Sequence, residues 1–211
     1  MTFSHALATL CFFVKVFPSC LRYPIVLLSL HLMFYNASSQ SRQTATEKEI
    51  KTPDPLLVGQ QIPKDFWVKK HLFYINGDTI RKSLEEYKGE LLILDFWSTT
   101  CAPCLTHQSD IHAVQVKYPT QFNIVMINST STKDDLKRID LFYQRNKNTY
   151  FKNRDFTSII LDSQLQNLFP HIGNPHYAWI NKLGYLQIQT FRNLLDLNTG
   201  TPFLTKGENN E

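Results

Sequence analysis

Residues 91–97, Leu-Leu-Ile-Leu-Asp-Phe-Trp, constrain this chain more than any other stretch. The run is nearly all apolar and has the length of a strand. A strand with one wet face alternates apolar and polar residues, so a continuous run suits a central strand covered on both faces. Three residues later comes Cys101-Ala102-Pro103-Cys104, a C-x-x-C. From Pro103 to about Tyr118, the residues Cys104, His107, Ile111, Val114 and Tyr118 recur at steps of three or four. That spacing predicts a helical stripe, which Pro119 ends. A buried strand therefore runs into a helix with two cysteines at the junction.

Strands and helices alternate around this junction. Residues 65–75 are strand-like and end at Asn76-Gly77-Asp78, a turn signal. Residues 83–89 predict a short helix with Ser83 as N-cap and Gly89 as stop. Residues 122–128 predict a second buried strand, and 131–146 an amphipathic helix starting at Ser131 or Thr132. Residues 157–162 predict a strand and 163–169 a short helix. Two last strands, 176–181 and 185–191, flank Lys182-Leu183-Gly184, which reads as a hairpin turn. No internal repeat is visible. The pattern predicts an α/β domain with a central mixed sheet flanked by helices on both faces.

A chain of 211 residues holds one domain of ordinary size with extensions. Its hydrophobic share of 43% and charged share of 19% allow a folded core. The net charge is +4, and Lys15 and Arg22 supply part of it from a first segment without acids. With no basic run or stripe, the sequence gives no case for a nucleic-acid partner. Two apolar runs, 6–14 and 23–35, are each shorter than the roughly 20 residues a spanning helix needs. With positive charge before the second, they resemble a signal-peptide core, and Ala37-Ser38-Ser39 offers cleavage before Gln40. An uncleaved membrane anchor is the alternative, and both send the domain out of the cytoplasm. A lipid on Cys20 has only a poor lipobox in its favour, and packing of the segment as a helix of the domain is a further reading. The expected organisation is 1–39 signal peptide or N-terminal anchor, 40–57 polar linker, 58–200 folded domain and 201–211 polar tail. About 18 flexible linker residues would reach roughly 20–25 Å, enough to hold a domain off a membrane.

Cys11 and Cys20 lie in the apolar segment, which leaves Cys101 and Cys104 as the cysteines of the domain. The pair has three readings: a permanent staple, half of a zinc site, or a redox couple. A domain of this size does not need a single staple. A closed zinc site needs two more ligands. His171 and His176 are candidates, but there is no second C-x-x-C. Redox chemistry is favoured, and the position suits it. A free thiol has a pKa of about 8.5. The free N–H groups and positive dipole end of a helix N-terminus stabilise the thiolate. Two intervening residues put Cys104 within disulfide reach of Cys101, and Pro103 fits a first helical turn. His107, one turn after Cys104, is placed to share a proton or stabilise a thiolate. Trp97 and Trp179 read as core.

The strand 91–97, the C-x-x-C at the helix start and the later Gly173-Asn174-Pro175-His176-Tyr177-Ala178-Trp179 with its hairpin together resemble the thioredoxin fold. They resemble more closely the TlpA/ResA-type exported thiol–disulfide oxidoreductases of the AhpC/TSA-like group, over roughly 58–191. The resemblance implies that Cys101 is the nucleophile and Cys104 the resolving cysteine. It implies that Pro175 takes a cis peptide beside the disulfide, and that Asp95 is a buried acid of raised pKa that moves a proton. Pro175 stands further from Cys101 than in thioredoxin itself, which implies a TlpA-type insertion within 131–156. Thr100 stands where the family usually has Trp, and His107 where many members have Glu.

The function that the resemblance implies is that of an exported thiol–disulfide oxidoreductase acting as a reductase in cell redox homeostasis. It would be periplasmic or held at the outer face of the cytoplasmic membrane through residues 6–35. Protein thiols and disulfides would be its substrates and a separate thiol donor its reductant. No cofactor or metal is implied, and the expected state is a monomer. The alternatives are a thiol peroxidase and a thiol-based metal-binding module. Peroxidases of this group resemble P-x-x-x-T-x-x-C, and here Ser98-Thr99-Thr100 precedes Cys101 without the upstream proline.

Overall fold

The computed structural model describes residues 54–152, 154–196 and Leu204, all within the unit Thr52–Glu211. The expected signal or anchor segment, nearly all of the linker and all of the tail except Leu204 lie outside the described residues. Among the described residues no helix is long and apolar enough to cross a membrane.

Among the described residues seven strands form one mixed sheet. In chain order the elements are β1 (His71–Ile75), β2 (Asp78–Lys82), β3 (Leu92–Trp97), α1 (Ala102–Lys117), β4 (Asn123–Ser129), α2 (Leu136–Asn146), β5 (Thr157–Asp162), α3 (Gln164–Leu168), β6 (His176–Ile180) and β7 (Leu186–Thr190). Across the sheet the order is β2-β1-β5-β4-β3-β6-β7. The inner three, β5, β4 and β3, run parallel. The hairpins β1–β2 and β6–β7 flank them, each joined antiparallel.

Every residue of β3 is buried. Its side chains alternate between two faces. Leu92, Leu94 and Phe96 pack with Leu165, Leu168 and Phe169 around α3. Ile93 packs with Ile111 and Val114 of α1. Trp97 packs with Ile139 and Phe142 of α2. Asp95 falls between Ile93 and Trp97, and so sits on the face that α1 covers. The continuous apolar run is thus explained by helices on both sides.

Several boundaries depart from the sequence expectation. Residues 65–69 form turns, not strand: the amides of Val68 and Lys69 return to the Asp65 carbonyl. Phe66 and Trp67 fold into the core there. Asn76-Gly77 does turn the chain, with φ of 52° and 116°. That left-handed pair suits a two-residue hairpin, and the strand after it, β2, has no counterpart in the sequence pattern. Its side chains are almost all exposed, so burial left no mark on Asp-Thr-Ile-Arg-Lys. The expected helix over 83–89 is a three-residue 3-10 turn, Glu85–Tyr87, with Leu84 rather than Ser83 before it and no side-chain cap. Leu84 is fully buried and donates its N–H to the Trp67 carbonyl, which ties the chain down before a helix can extend. α2 starts five residues later than Ser131. Residues Thr130–Thr132 make a 3-10 turn that Lys133 ends in the left-handed region, and Asp135 caps α2 by accepting the Arg138 N–H at 2.7 Å.

Candidate active site

β3 ends at Trp97, and residues 98–100 turn the chain into α1. Trp97 is fixed by its indole N–H, which donates to Ser158 Oγ at 2.8 Å. The turn is held from the side by Asp134. Its carboxylate accepts the Thr99 N–H at 2.8 Å, the Thr99 hydroxyl and the Asn128 amide at 2.8 Å. Burial opposes charge on Asp134, but hydrogen bonds from Thr99, Asn128 and Thr132 outweigh it and hold the carboxyl below its ordinary value. Thr100 is exposed, and its hydroxyl lies 3.3 Å from Ser98 Oγ.

Cys101 is the N-cap of α1. Its backbone is extended, and its Sγ accepts the Cys104 N–H at 3.2 Å. One of the orphan amides of the helix start therefore points at this sulfur. Pro103 lies in the first turn, exposed, where a missing N–H costs nothing. Cys101 and Cys104 form a disulfide, with Sγ–Sγ 2.02 Å and Cα–Cα 5.3 Å. Cys101 retains 8% exposure and Cys104 2%. The Cys104 sulfur lies 4.0 Å from the Phe96 carbonyl.

Asp95 is wholly buried beneath α1. Gln108 of α1 donates to Oδ2 at 2.9 Å, and Oδ1 has no partner. Desolvation pushes the carboxyl up to about 7, against the smaller lowering by Gln108. Across the β3–β6 ladder Asp95 is the register partner of Tyr177. Burial, and then the charges of Asp95 and Asp110, raise the Tyr177 hydroxyl well above its ordinary value. Tyr177 Oη also meets His107 Nδ1 at 3.0 Å. His107 thus hydrogen-bonds to the tyrosine, whereas its spacing along the helix suggests a link to Cys104. Its burial lowers its pKa, and Asp110 partly opposes this.

The Asn174–Pro175 peptide bond is cis. It leads straight into β6, whose first residue His176 pairs with Phe96. Cys101, Cys104, Asp95 and Pro175 therefore gather at one end of two adjacent strands. His171 and His176 bracket the proline segment, and their rings stack with centroids 4.4 Å apart and planes 7° from parallel. Among the described residues no group of three or more His, Cys, Asp or Glu is placed to hold a metal ion.

Gln108, Tyr177, Asp134 and Thr99 join the site without standing out in the sequence. Gln108 carries a usable signal: it continues the buried stripe of α1 four residues after Cys104, and a buried amide needs a polar partner. Tyr177 needs the strand register. Asp134 looks like the polar face of a helix that begins only after it.

No family model matches the chain. It is 31% identical over 100 residues to the thioredoxin-like protein YneN of Bacillus subtilis (strain 168), over 47% of this chain and 52% of that protein. It is 27% identical over 119 residues to the chloroplastic thioredoxin-like protein CITRX1 of Nicotiana benthamiana, over 56% of this chain and 62% of that one. The crystal structure of Enterococcus faecalis AhpC matches its fold with a TM-score of 0.50 at 14% identity, over 69% of this chain and 84% of that chain. The chain has a thioredoxin-like fold. It spans half to three-fifths of the length of these curated relatives. The thioredoxin-like core explains why the site lies where the parallel strands end: that edge is where open α/β sheets present ligand-binding loops.

Proposed function

We propose that this thioredoxin-like protein is an exported thiol–disulfide oxidoreductase that reduces disulfides in protein substrates. The observation that carries the reading is the Cys101–Cys104 disulfide at the N-terminus of α1, one sulfur of which accepts a helix amide. In the reduced protein that end of the helix favours a thiolate at Cys101. The thiolate attacks a substrate disulfide; the Cys101–substrate bond forms, the substrate S–S bond breaks, and one substrate sulfur leaves as thiolate. Cys104 then loses its proton and attacks Cys101 Sγ. The second substrate sulfur leaves, the substrate is reduced by two electrons and the protein disulfide is restored. Asp95 is the acceptor for the Cys104 proton, and a carboxyl poised near 7 gives and takes protons at neutral pH. Pro175 presents the surface against which a substrate backbone lies, with no N–H of its own. Thr100 and His107 tune the pair. A separate thiol donor returns the protein to the dithiol form.

The test is a Cys104→Ser variant, which leaves Cys101 able to attack and removes the resolving sulfur. Mixed disulfides should accumulate on Cys101 and identify the substrates by mass spectrometry, and the wild type should reduce insulin. No trapped adduct together with no insulin reduction would defeat the proposal.

A further inference from the structure

The stack of His171 on His176 is not used by any of the thiol steps proposed above. The Phe96 ring packs against both rings, 4.6 and 5.8 Å away by centroids. The hydrogen bonds fix both tautomers. His171 Nδ1 faces the Phe169 carbonyl at 2.9 Å; a carbonyl only accepts, so Nδ1 carries a proton. Gln189 donates its amide to the Leu56 carbonyl at 3.3 Å, which turns its Oε1 to His176 Nε2 at 3.1 Å, so Nε2 carries the proton there. The basic nitrogens are therefore His171 Nε2 and His176 Nδ1.

The two rings differ in what a further proton would meet. The Asn174 side chain favours the charged form of His171, and its Oδ1 is buried without a hydrogen-bond partner. A proton on His171 has an acceptor at hand, on the residue just before Pro175. His176 has Gln189 on its Nε2, and a charge on it would face the ring of His171. Burial disfavours charge on both. Facing groups come from every side: Phe96 of β3, the Phe169 carbonyl after α3, Asn174 of the loop and Gln189 of β7. None of these is ionisable. The other ionisable groups at this end of β3 lie across the sheet or beyond the strand end: Asp95 and His107 on the α1 side, Asp134 against the turn at Thr99, and the thiols of Cys101 and Cys104, which titrate only after reduction. Ile172 and Gly173, at the tip between the histidines, are exposed.

We propose that the stacked pair accepts a single proton, on His171 and not on His176, and that a second proton parts the rings and moves the Pro175 segment that substrate must meet. His171 and His176 are thus positioning residues that make substrate engagement fail in acid. Like charges at stacking distance repel strongly where the rings are half-buried, and the segment joining the two rings is the one that carries Asn174 and Pro175. The second half of this inference rests on the oxidoreductase reading; the first half does not.

The first measurement is an NMR titration of the imidazole C–H signals in the oxidised protein, where no thiol titrates. His171 should titrate above His176. In His171→Gln, His176 should titrate at higher pH than in the wild type, because its charged neighbour is gone. Unchanged His176 titration, or His176 protonating first, overturns the pairing. The second measurement is the rate of mixed-disulfide formation by Cys104→Ser, with and without His176→Gln. The ratio of the two cancels the titration of Cys101. It should change by about threefold or more between pH 7.5 and pH 5 in favour of the His176→Gln form. A ratio independent of pH overturns the link to substrate. Equal near-ultraviolet circular dichroism of the variants at pH 7.5 shows that both fold. Absence of any exchange at every pH in both forms counts against the oxidoreductase reading itself, and leaves the NMR result to decide the pairing.

Discussion

Asp95 occupies a site that water does not reach, with one amide to oppose the cost of its charge. Its carboxyl is raised from 3.8 to about 7 on folding. Between those values the folded protein holds a proton that the unfolded chain has released. Stability from this group is therefore complete below about pH 4 and lost as pH rises through about 7, a loss of a few kcal/mol. Asp95→Asn should abolish this slope. The oxidised variant should match the wild type near pH 4 and exceed it above pH 7, as read from urea midpoints across the range. Parallel curves for the two proteins would contradict the assignment. The same burial that costs stability at neutral pH is what suits the group to the proton-acceptor role proposed for it. Asp134 is the contrasting case: three hydrogen-bond donors meet its carboxylate, which stays charged and serves to hold the turn before Cys101.

At the level of elements, short helices depend on what meets their ends. α3 has five residues, and Ser163 before it makes no side-chain cap. Asp162, the last residue of β5, does the capping: its Oδ2 accepts the Leu165 N–H at 2.7 Å and the Gln166 N–H at 3.2 Å. Its Oδ1 also meets buried His71 Nδ1 at 3.3 Å. Asp162→Ala removes a cap and leaves a buried ring without its partner. We expect a loss of about 2–4 kcal/mol in urea unfolding, with Asp162→Asn losing less. An effect under about 0.5 kcal/mol would mean that packing of Leu165 and Leu168 holds α3 unaided. Burial also decides which elements the sequence discloses. β3, β4 and β5 show themselves because both their faces are covered. β2 stays hidden because it is an exposed edge, and the expected start of α2 falls too early because the inward turn of Asp134 is a tertiary event. The motif residues can be found because chain neighbours carry them. Tyr177 and Gln108 join the site through strand register and helix packing, which no local spacing expresses.

For the whole molecule, the proposed reaction and the proposed place of action are separate matters. The sheet, its two covered faces and the disulfide concern residues from Asp54 onward. Export rests on the 1–39 sequence: two apolar runs, Lys15 and Arg22, and a small-residue cleavage pattern. A fusion of residues 1–39 to a reporter phosphatase that folds only outside the cytoplasm should therefore be active in cells. Replacing four apolar residues of 23–35 by charged ones should silence it. An active reporter after that replacement would remove the basis for export.

The rung that joins Asp95 to Tyr177 has a consequence for how this chain tolerates insertion and deletion. Side chains on a strand alternate faces, so a slip of one residue sends a whole set to the opposite side. From Pro175 to Tyr177 there is one intervening residue. Adding or removing a residue there would turn the tyrosine away from the acid and from His107. The exposed tip at Ile172 and Gly173 carries no such count, and can lengthen while the ladder stays in step. The end of the sheet that holds the candidate site thus joins a segment free to vary in length to one that is metered residue by residue, and Pro175 marks the border.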